Sequence, residues 1–349
     1  MIKMTLSETI KSNYQKNLGF SPDQLRELLS SPDLPVLEVL QNMANQVRQI
    51  QMGKAVHLRG IIEFSNYCSR NCAYCGLNRY NTALHRYRMS PENIIIAAHH
   101  AASLGLRTVV LQSGEDAFYT GEILAMIIKE IKKTGVALTL SVGERPFQDL
   151  QLWREAGADR YLLKFETSDP DLYARLHPGH QLADRLTCLQ HLKELGYQVG
   201  SGNIIGLPGQ TVDILVNDLL LMQSLPLAMA GVGPFIPHSD TALGPFPPGN
   251  VPLTLKLLAL TRLLLPRVHL PATTALSSLQ AEGKILGLNG GANVLMLNLT
   301  PVAYRSLYEI YPQKSEVSEA PEQLVLDTHR LIKEIGREVA TDPGHGRLS

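Results

Sequence analysis

The feature that most constrains the fold is an alternation of apolar, β-rich runs with amphipathic helical stretches from residue 56 onward. Eight runs have the length and composition of buried strands. The predicted strands are Val56–Phe64, Thr108–Gln112, Val136–Val142, Arg160–Glu166, Gln198–Ile205, Met229–Pro234, His269–Thr274 and Asn293–Leu297. Such an alternation predicts parallel strands joined by right-handed crossovers. We therefore expect an α/β fold of the (β/α)8 TIM-barrel type, with functional residues at the carboxyl ends of the strands.

Helical patterns separate the predicted strands and extend beyond them. The clearest helices are Pro91–Leu104, Glu122–Thr134, Leu182–Leu195 and Val212–Leu225, with Ser90 and Thr211 as predicted N-caps. A chain of 349 residues fits two average domains or one barrel with extensions. We expect an N-terminal helical extension over 1–52, a barrel over 53–312 and a C-terminal helical appendix over 313–349. Neither extension carries residues that indicate a chemistry of its own.

Charge and hydropathy narrow the classes of partner. Lys plus Arg number 32 and Asp plus Glu number 32, so the chain lacks the basic field that attracts nucleic acid or an anionic membrane. Residues 1–8 include an acid and no long apolar core, unlike a secretory signal or transit peptide. The apolar stretch 255–265 contains Lys256 and Arg262 and falls short of the ~20 residues that span a bilayer. We expect a cytoplasmic protein with no nucleic-acid or membrane partner.

The strongest chemical signal is three cysteines directly after the first predicted strand. Cys68, Cys72 and Cys75 form a C-x3-C-x2-C run on one short loop. Soft thiolates suit iron–sulfur centres, and three of them can hold three irons of a cubane cluster. The fourth iron is then open to a small molecule. Cys188 lies inside a predicted amphipathic helix, where a buried structural thiol is the usual role.

Two other interpretations of the cysteine run remain open at this point. A structural zinc site normally takes four ligands from paired Cys or Cys/His spacings, and no second pair is present. His57 or His85 would have to complete such a site. The three cysteines could also be unrelated core residues.

The cysteine run, with Tyr74 before its last cysteine, resembles the signature of the radical S-adenosylmethionine (SAM) superfamily. The resemblance implies one 4Fe-4S cluster whose open iron binds the amino and carboxylate groups of SAM. It further implies one-electron cleavage of SAM to methionine and a 5′-deoxyadenosyl radical. Some members hold a second cluster near the end of the barrel, but residues 311–316 contain no cysteine, so one cluster is expected.

The resemblance also assigns residues to SAM binding. Glu115, in a Gly-Glu motif after the second strand, would accept hydrogen bonds from the SAM ammonium. Glu166 would hold the ribose hydroxyls, Arg185 would pair with the methionine carboxylate, and the glycine-flanked strand end 202–206 would lie against adenine. The full predicted SAM set is Tyr74, Gln112, Glu115, Thr139, Glu166, Arg185, Met229 and Tyr308.

Longer motifs resemble one branch of the superfamily over most of residues 50–312. Segments 59–66, 86–89, 111–116, 157–163, 206–211, 233–238 and 271–275 look like the HydE maturases of iron-only hydrogenases. Biotin synthase and methylornithine synthase are relatives. The resemblance implies a small anionic, sulfur-ligated iron carbonyl–cyanide precursor as substrate, on the way to the hydrogenase H-cluster. It also implies a low-potential electron donor and other hydrogenase maturases as partners.

Strand parity predicts a polar substrate cavity inside the barrel. Alternate residues of the fourth strand, from Arg160 to Glu166, share one side of the sheet. The predicted substrate residues are Arg59, Arg160, Lys164, Thr273 and Thr274. These donors suit an anion, although Arg160 and Glu166 could instead form an internal ion pair and the threonines could be ordinary packing.

Lys164 stands where HydE proteins usually carry an arginine, and lysine lacks the bidentate fork of a guanidinium. The substrate is thereby left open. One alternative is a free amino acid, as in methylornithine synthase. Another is a non-catalytic iron–sulfur or zinc scaffold.

Overall fold

Eight parallel strands form a barrel in the computed structural model, which describes residues 5–15, 19–312 and 319–346. The barrel strands are β1 Ala55–Ser65, β2 Thr108–Ser113, β3 Ala137–Ser141, β4 Arg160–Leu162, β5 Gln198–Ile205, β6 Leu227–Pro234, β7 Pro271–Ala272 and β8 Val294–Asn298. Their order around the sheet is β6-β5-β4-β3-β2-β1-β8-β7. The predicted TIM-type α/β fold is confirmed.

The two ends of this sheet meet just before β7. The His269 N–H donates to the Ala228 carbonyl at 3.0 Å, and the Ala230 N–H donates to the His269 carbonyl at 3.0 Å. This isolated parallel bridge joins β6 to the residue that leads into β7. It nearly closes the barrel and leaves only short unpaired edges.

Helices surround the barrel and extend it at both ends of the chain. They are α1 Leu6–Gln15, α2 Pro22–Ser30, α3 Leu34–Met52, α4 Pro91–Ser103, α5 Gly121–Lys132, α6 Phe147–Glu155, α7 Pro170–Leu176, α8 Leu182–Glu194, α9 Val212–Ser224, α10 Val251–Leu264, α11 Thr274–Leu279, α12 Gly283–Asn289, α13 Val302–Arg305 and α14 Pro321–Glu334. The predicted N-caps are confirmed, since Ser90 accepts from Asn93 N–H at 3.2 Å and Thr211 from Ile214 N–H at 3.3 Å. No helix in the described ranges is both long and apolar enough to cross a membrane.

The strands β4 and β7 are four residues shorter than the sequence predicts, and each has a physical reason. Beyond Leu162 the chain still follows β5, but Phe165 N–H donates to the Ser201 hydroxyl instead of a carbonyl, and Glu166 has a φ of 65°. Regular strand geometry therefore ends before the predicted residue 166. In β7, Pro271 lacks an N–H, and Thr273 already serves as the N-cap residue of α11.

The N-terminal helices pack against the barrel layer. Ser21 begins α2 with a capping box in which Gln24 reaches back to the Ser21 N–H at 3.0 Å. The Lys256 ammonium of α10 donates to the Leu28 carbonyl of α2 at 3.1 Å. The extension is thus docked on the helix that precedes β7.

The C-terminal chain returns to the amino ends of the barrel strands. A short ninth strand, β9 Glu338–Val339, pairs in parallel with the start of β1. The tail then crosses β2 and β4, where the Pro343 carbonyl accepts from Thr108 at 3.0 Å and from Arg160 at 2.6 Å. The predicted boundary of the appendix, at residue 313, lies outside the described residues.

Candidate active site

A cavity of about 420 Å³ opens at the carboxyl ends of the strands. It contains most of the residues that the sequence singles out. Those that line it are Cys68, Cys72, Tyr74, Cys75, Gln112, Glu115, Lys164, Glu166, Arg185, Met229, Thr273, Thr274 and Tyr308. A concave site at this end of a TIM barrel is where enzymes of the fold place their chemistry.

The cysteine loop packs directly on the residues that follow β2. The Cys68 sulfur accepts N–H bonds from Arg70 and from Glu115, both at 3.4 Å. Gly114 makes this approach feasible, because a Cβ there would lie 2.3 Å from the Tyr67 carbonyl oxygen and 2.7 Å from Cys68 Cβ. The Gly-Glu motif and the cysteine run therefore form one wall of the cavity.

The three thiols share an environment that disfavours their charged form. Burial raises the pKa of Cys68 and, together with the other two cysteines, raises that of Cys72 well above its usual value. Burial and the neighbouring Cys68 raise the pKa of Cys75 to about 12. Binding of cationic irons would therefore have to displace protons from these sulfurs. Within the described ranges, no group of three or more His, Cys, Asp or Glu side chains has an arrangement that could hold a single metal ion.

A carboxylate that sequence reasoning missed links the two arginines of the cavity. Glu144 Oε1 pairs with Arg185 Nε at 2.5 Å, and its Oε2 pairs with Arg70 Nη2 at 3.0 Å. Arg70 also forms an ion pair with Glu115. Burial would raise the pKa of Glu144, but Arg185 and Arg70 outweigh it and lower that pKa. Glu144 follows the end of β3, so the rule that strand ends carry function could have identified it.

Tyr74 is held by a buried histidine. The Nδ1 atom of His177 lies 3.1 Å from the Tyr173 carbonyl oxygen, and Nε2 lies 3.2 Å from the Tyr74 hydroxyl. These contacts assign the neutral tautomer with the proton on Nδ1, so that Nε2 accepts from Tyr74. Burial and the nearby Arg185 lower the pKa of His177 to about 3, which keeps the ring neutral.

Glu166 occupies a constrained position at the cavity wall. Its φ of 65° is the only positive value at a non-glycine residue in the described part of the chain. One carboxylate oxygen lies 3.4 Å from the Tyr74 hydroxyl, and the other lies 3.1 Å from the Lys164 ammonium. Strained backbone of this kind persists where surrounding structure fixes it, and it clusters at functional sites.

A buried aspartate on α9 supports the turn that carries Glu166. Asp218 accepts from Ser168 N–H at 2.6 Å and from the Asn203 side-chain amide at 2.8 Å. Burial raises the pKa of Asp218 to about 6 despite these two bonds. No sequence pattern indicates this role, because Asp218 lies inside a helix and not at the end of a strand.

Three further predicted SAM residues line the cavity, namely Gln112 on β2, Met229 on β6 and Tyr308 after α13. The Tyr308 side chain is hydrogen-bonded to that of Gln112. Arg59, on β1, does not line the cavity, but its Nη1 contacts the Met229 sulfur at 2.6 Å. Its Nε and Nη2 have no hydrogen-bond partner among the described residues. Burial and repulsion from Arg160 lower the pKa of Arg59 to about 9.

Three predicted residues do not line the cavity, and Arg160 departs furthest from its predicted place. Its guanidinium donates to the Pro343 and Gly344 carbonyls of the C-terminal tail, at 2.6 and 2.8 Å, at the opposite end of the barrel. Thr139 pairs in register with Arg160, is fully buried and does not line the cavity that contains the rest of the predicted SAM set. Arg59 contacts the lining residue Met229 but does not itself line the cavity.

Comparisons with known proteins agree with this arrangement. The family model of the radical SAM superfamily matches residues 62–222. The chain is 48% identical over 325 residues to the FeFe hydrogenase maturase subunit HydE of Thermotoga maritima, with 93% of each chain covered. It is 32% identical to 3-methylornithine synthase of Methanosarcina acetivorans, over 84% of this chain and 85% of that one. The crystal structure of methylornithine synthase superposes with a TM-score of 0.85 at 27% identity, covering 96% and 97% of the two chains.

Proposed function

Because the chain belongs to the radical SAM superfamily, and within it to the branch of the HydE maturases, we propose that it is a maturase acting on a small iron complex during hydrogenase H-cluster assembly. The superfamily uses a 4Fe-4S cluster and SAM. When bound, they supply one-electron reductive cleavage of the sulfonium carbon–sulfur bond. The observation that carries the proposal is the meeting of the cysteine loop, the Gly-Glu motif and Glu166 around one cavity.

Cys68, Cys72 and Cys75 are the proposed cluster ligands. All three face the cavity, and Cys68 already receives two N–H bonds of the kind that stabilise a thiolate. Cys188 has no place in this set, since it is buried in α8 and does not line the cavity. The three sulfurs would hold a cluster with one open iron, and they line the same cavity as Glu115 and Glu166.

Each proposed SAM-binding residue is assigned to a part of SAM that its own charge or polarity complements. Glu115 is the proposed acceptor for the ammonium, and its carboxylate would then accept from two cations, the ammonium and the guanidinium of Arg70 that it already contacts. Arg185 is the proposed partner of the methionine carboxylate, held in place by Glu144. Glu166 is the proposed ribose ligand, oriented by the ammonium of Lys164. Met229 and Tyr308 line the same space and offer apolar surface for the nucleoside.

The proposed substrate is anionic. Lys164 and the hydroxyl of Thr273 face the cavity, and the Thr273 Oγ1 has no hydrogen-bond partner among the described residues. Gly233 leaves room beside that hydroxyl, since a Cβ there would lie 3.1 Å from it. The buried, incompletely bonded Arg59 adds positive charge next to the lining residue Met229. Carboxylate or cyanide acceptors would satisfy the donors of Lys164 and Thr273.

The cysteine assignment is tested by anaerobic reconstitution of single-cysteine variants. Wild-type protein should bind about four irons and produce 5′-deoxyadenosine with a strong reductant. Changing Cys68, Cys72 or Cys75 to Ala should abolish that product. Cys188→Ala is the matched control and should retain it. Stoichiometric zinc in protein purified without air, with no iron–sulfur chromophore after reconstitution, would refute the assignment.

The maturase role needs a separate assay. Purified protein, a low-potential electron donor and the other maturases should activate an apo-hydrogenase, and omission of this protein should prevent activation. We place this reaction in the cytoplasm, where the four free cysteines stay reduced. SAM cleavage that responds to a free amino acid, with no hydrogenase activation, would favour a methylornithine-synthase-like activity instead.

A further inference from the structure

The loop that carries the three cysteines has little regular structure of its own. It follows β1 and continues to the start of α4 at Pro91, with only an isolated bridge between Ser65 and Arg88. Backbone carbonyls in such a packed loop need partners other than a helix or a sheet. One side chain, Arg86, supplies several of them.

Arg86 connects the two ends of the cysteine run. Its Nη1 donates to the carbonyl of Asn66, which precedes Cys68, and to that of Leu77 at 2.9 Å. Its Nη2 donates to the carbonyls of Asn78 at 2.6 Å and Asn81 at 3.2 Å, both after Cys75. The planar guanidinium holds its donors in a fixed fork, so these four bonds fix the spacing between the two loop ends.

Arg86 differs from the other arginines near the cysteines in the partners of its charge. Arg70 and Arg185 form ion pairs with Glu115 and Glu144. Arg86, in contrast, bonds only to carbonyls, and it makes no ion pair with a carboxylate in the part of the chain that the structure describes. Its positive charge is therefore not neutralised beside the sulfurs.

This charge lies close to the cysteines, because the guanidinium is bonded to the carbonyls of Asn66 and Leu77, which are two residues from Cys68 and from Cys75. Burial is the larger influence and lowers the pKa of Arg86, while the Cys68 and Cys75 sulfurs act in the opposite direction. A cation near an iron–sulfur centre favours the reduced state, which carries one more negative charge.

We propose that Arg86 is a positioning residue for the cluster: its four carbonyl bonds close the cysteine loop, and its unneutralised charge raises the reduction potential of the cluster. The proposal rests on the proposed ligation by Cys68, Cys72 and Cys75. Loop closure, however, is a property of the protein chain and can be measured without the cluster.

The test compares Arg86→Gln and Arg86→Lys with Arg79→Gln as the matched control. Arg79 lies in the same loop, but its side chain contacts only the exposed ring and hydroxyl of Tyr80. Hydrogen exchange of peptides covering 66–81 is measured on the full chain before and after reconstitution. Exchange should be at least tenfold faster in both Arg86 variants, because neither side chain can span four carbonyls, and unchanged in Arg79→Gln.

The second measurement is the midpoint potential of the reconstituted cluster. Arg86→Gln should shift the one-electron equilibrium at least tenfold toward the oxidised state. This shift corresponds to a midpoint potential that is lower by about 59 mV or more. Arg86→Lys should shift it less, because the charge remains. Wild-type exchange in Arg86→Gln would overturn loop closure, and equal potentials in wild type and Arg86→Gln would overturn the electrostatic role. A wild-type protein that takes up no cluster would instead refute the proposed function.

Discussion

The ammonium of Lys164 lies 3.1 Å from a carboxylate oxygen of Glu166. Both side chains face the cavity, and Glu166 has a positive φ of 65°. Glu166 is therefore a built-in partner for a cation that would otherwise be costly to bury. The proposed ribose-binding residue, Glu166, is thus paired with the proposed substrate-binding residue, Lys164. Substitution of Lys164 therefore tests whether its partner is the substrate or Glu166 alone.

Lys164→Met should impair the reaction of the substrate much more than the cleavage of SAM. Loss of one charge-assisted bond to substrate, about 1.5–3 kcal/mol, should reduce substrate-dependent turnover about ten- to a hundredfold. Iron content should persist, since the cysteine loop is untouched, and slow uncoupled SAM cleavage should persist at saturating SAM, since Glu166 keeps its carboxylate. Lys164→Arg should preserve turnover of a HydE-type iron complex.

The control for this change is Lys132→Met. Lys132 is also ion-paired, with Asp159 at 2.7 Å, but it lies on α5 outside the cavity. Its loss should leave substrate turnover unchanged. Full turnover by Lys164→Met would show that Glu166 is the sole partner of Lys164 and that the substrate binds elsewhere.

The sequence predicts the barrel and most of the cavity because both depend on local patterns. Strand and helix alternation fixes the topology, and the carboxyl ends of parallel strands meet at one edge. Cys68, Glu115 and Glu166 therefore come together as expected from their places after strands one, two and four.

The alternation of side chains along a strand shows which side of the sheet a residue faces, but not how far along the barrel axis it lies. Arg160 and Glu166 share one face of the sheet but are six residues apart, which is about 20 Å along an extended chain. Parity correctly puts both inside the barrel. It does not show that the C-terminal tail, more than 170 residues later, closes the end where Arg160 lies.

Glu144→Gln should weaken SAM binding without loss of the cluster. The variant keeps the backbone N–H that donates to Glu115 at 2.9 Å but removes the charge that holds Arg70 and Arg185. A loss of about 1.4 kcal/mol would raise the SAM dissociation constant about tenfold, measurable by titration of the reconstituted protein. Glu155→Gln, an exposed change on α6, should have no effect. Unchanged affinity in Glu144→Gln would mean that Arg185 needs no partner there.

His177 should make the protein less stable in mild acid. Its folded pKa of about 3 lies below the ordinary value of 6.5, so the unfolded chain binds the extra proton between these values. Stability is therefore fully present above about pH 6.5 and is lost as the pH falls toward 3, by at most about 1.4 kcal/mol per pH unit.

The measurement is denaturant unfolding between pH 7 and pH 5 for wild type and His177→Gln. The variant should be less stable at pH 7 because Tyr74 loses its partner, yet its stability should fall less steeply with acid. His85→Gln, at an exposed position, should keep the wild-type slope. Parallel profiles for wild type and His177→Gln would show that other groups set the acid response.

Arg160→Leu should destabilise the fold while sparing the cavity. The change leaves the Pro343 and Gly344 carbonyls without their guanidinium partner, at about 1–3 kcal/mol for a buried unsatisfied group. Cluster loading and the SAM dissociation constant of the folded protein should be unchanged, because Arg160 lies at the opposite end of the barrel. Deleting residues 343–349 removes the same carbonyls, so the two changes combined should cost clearly less than the sum of their separate effects. Additive losses would mean that Arg160 and the tail stabilise the barrel independently, and a loss of substrate turnover at wild-type stability would return Arg160 to the substrate cavity.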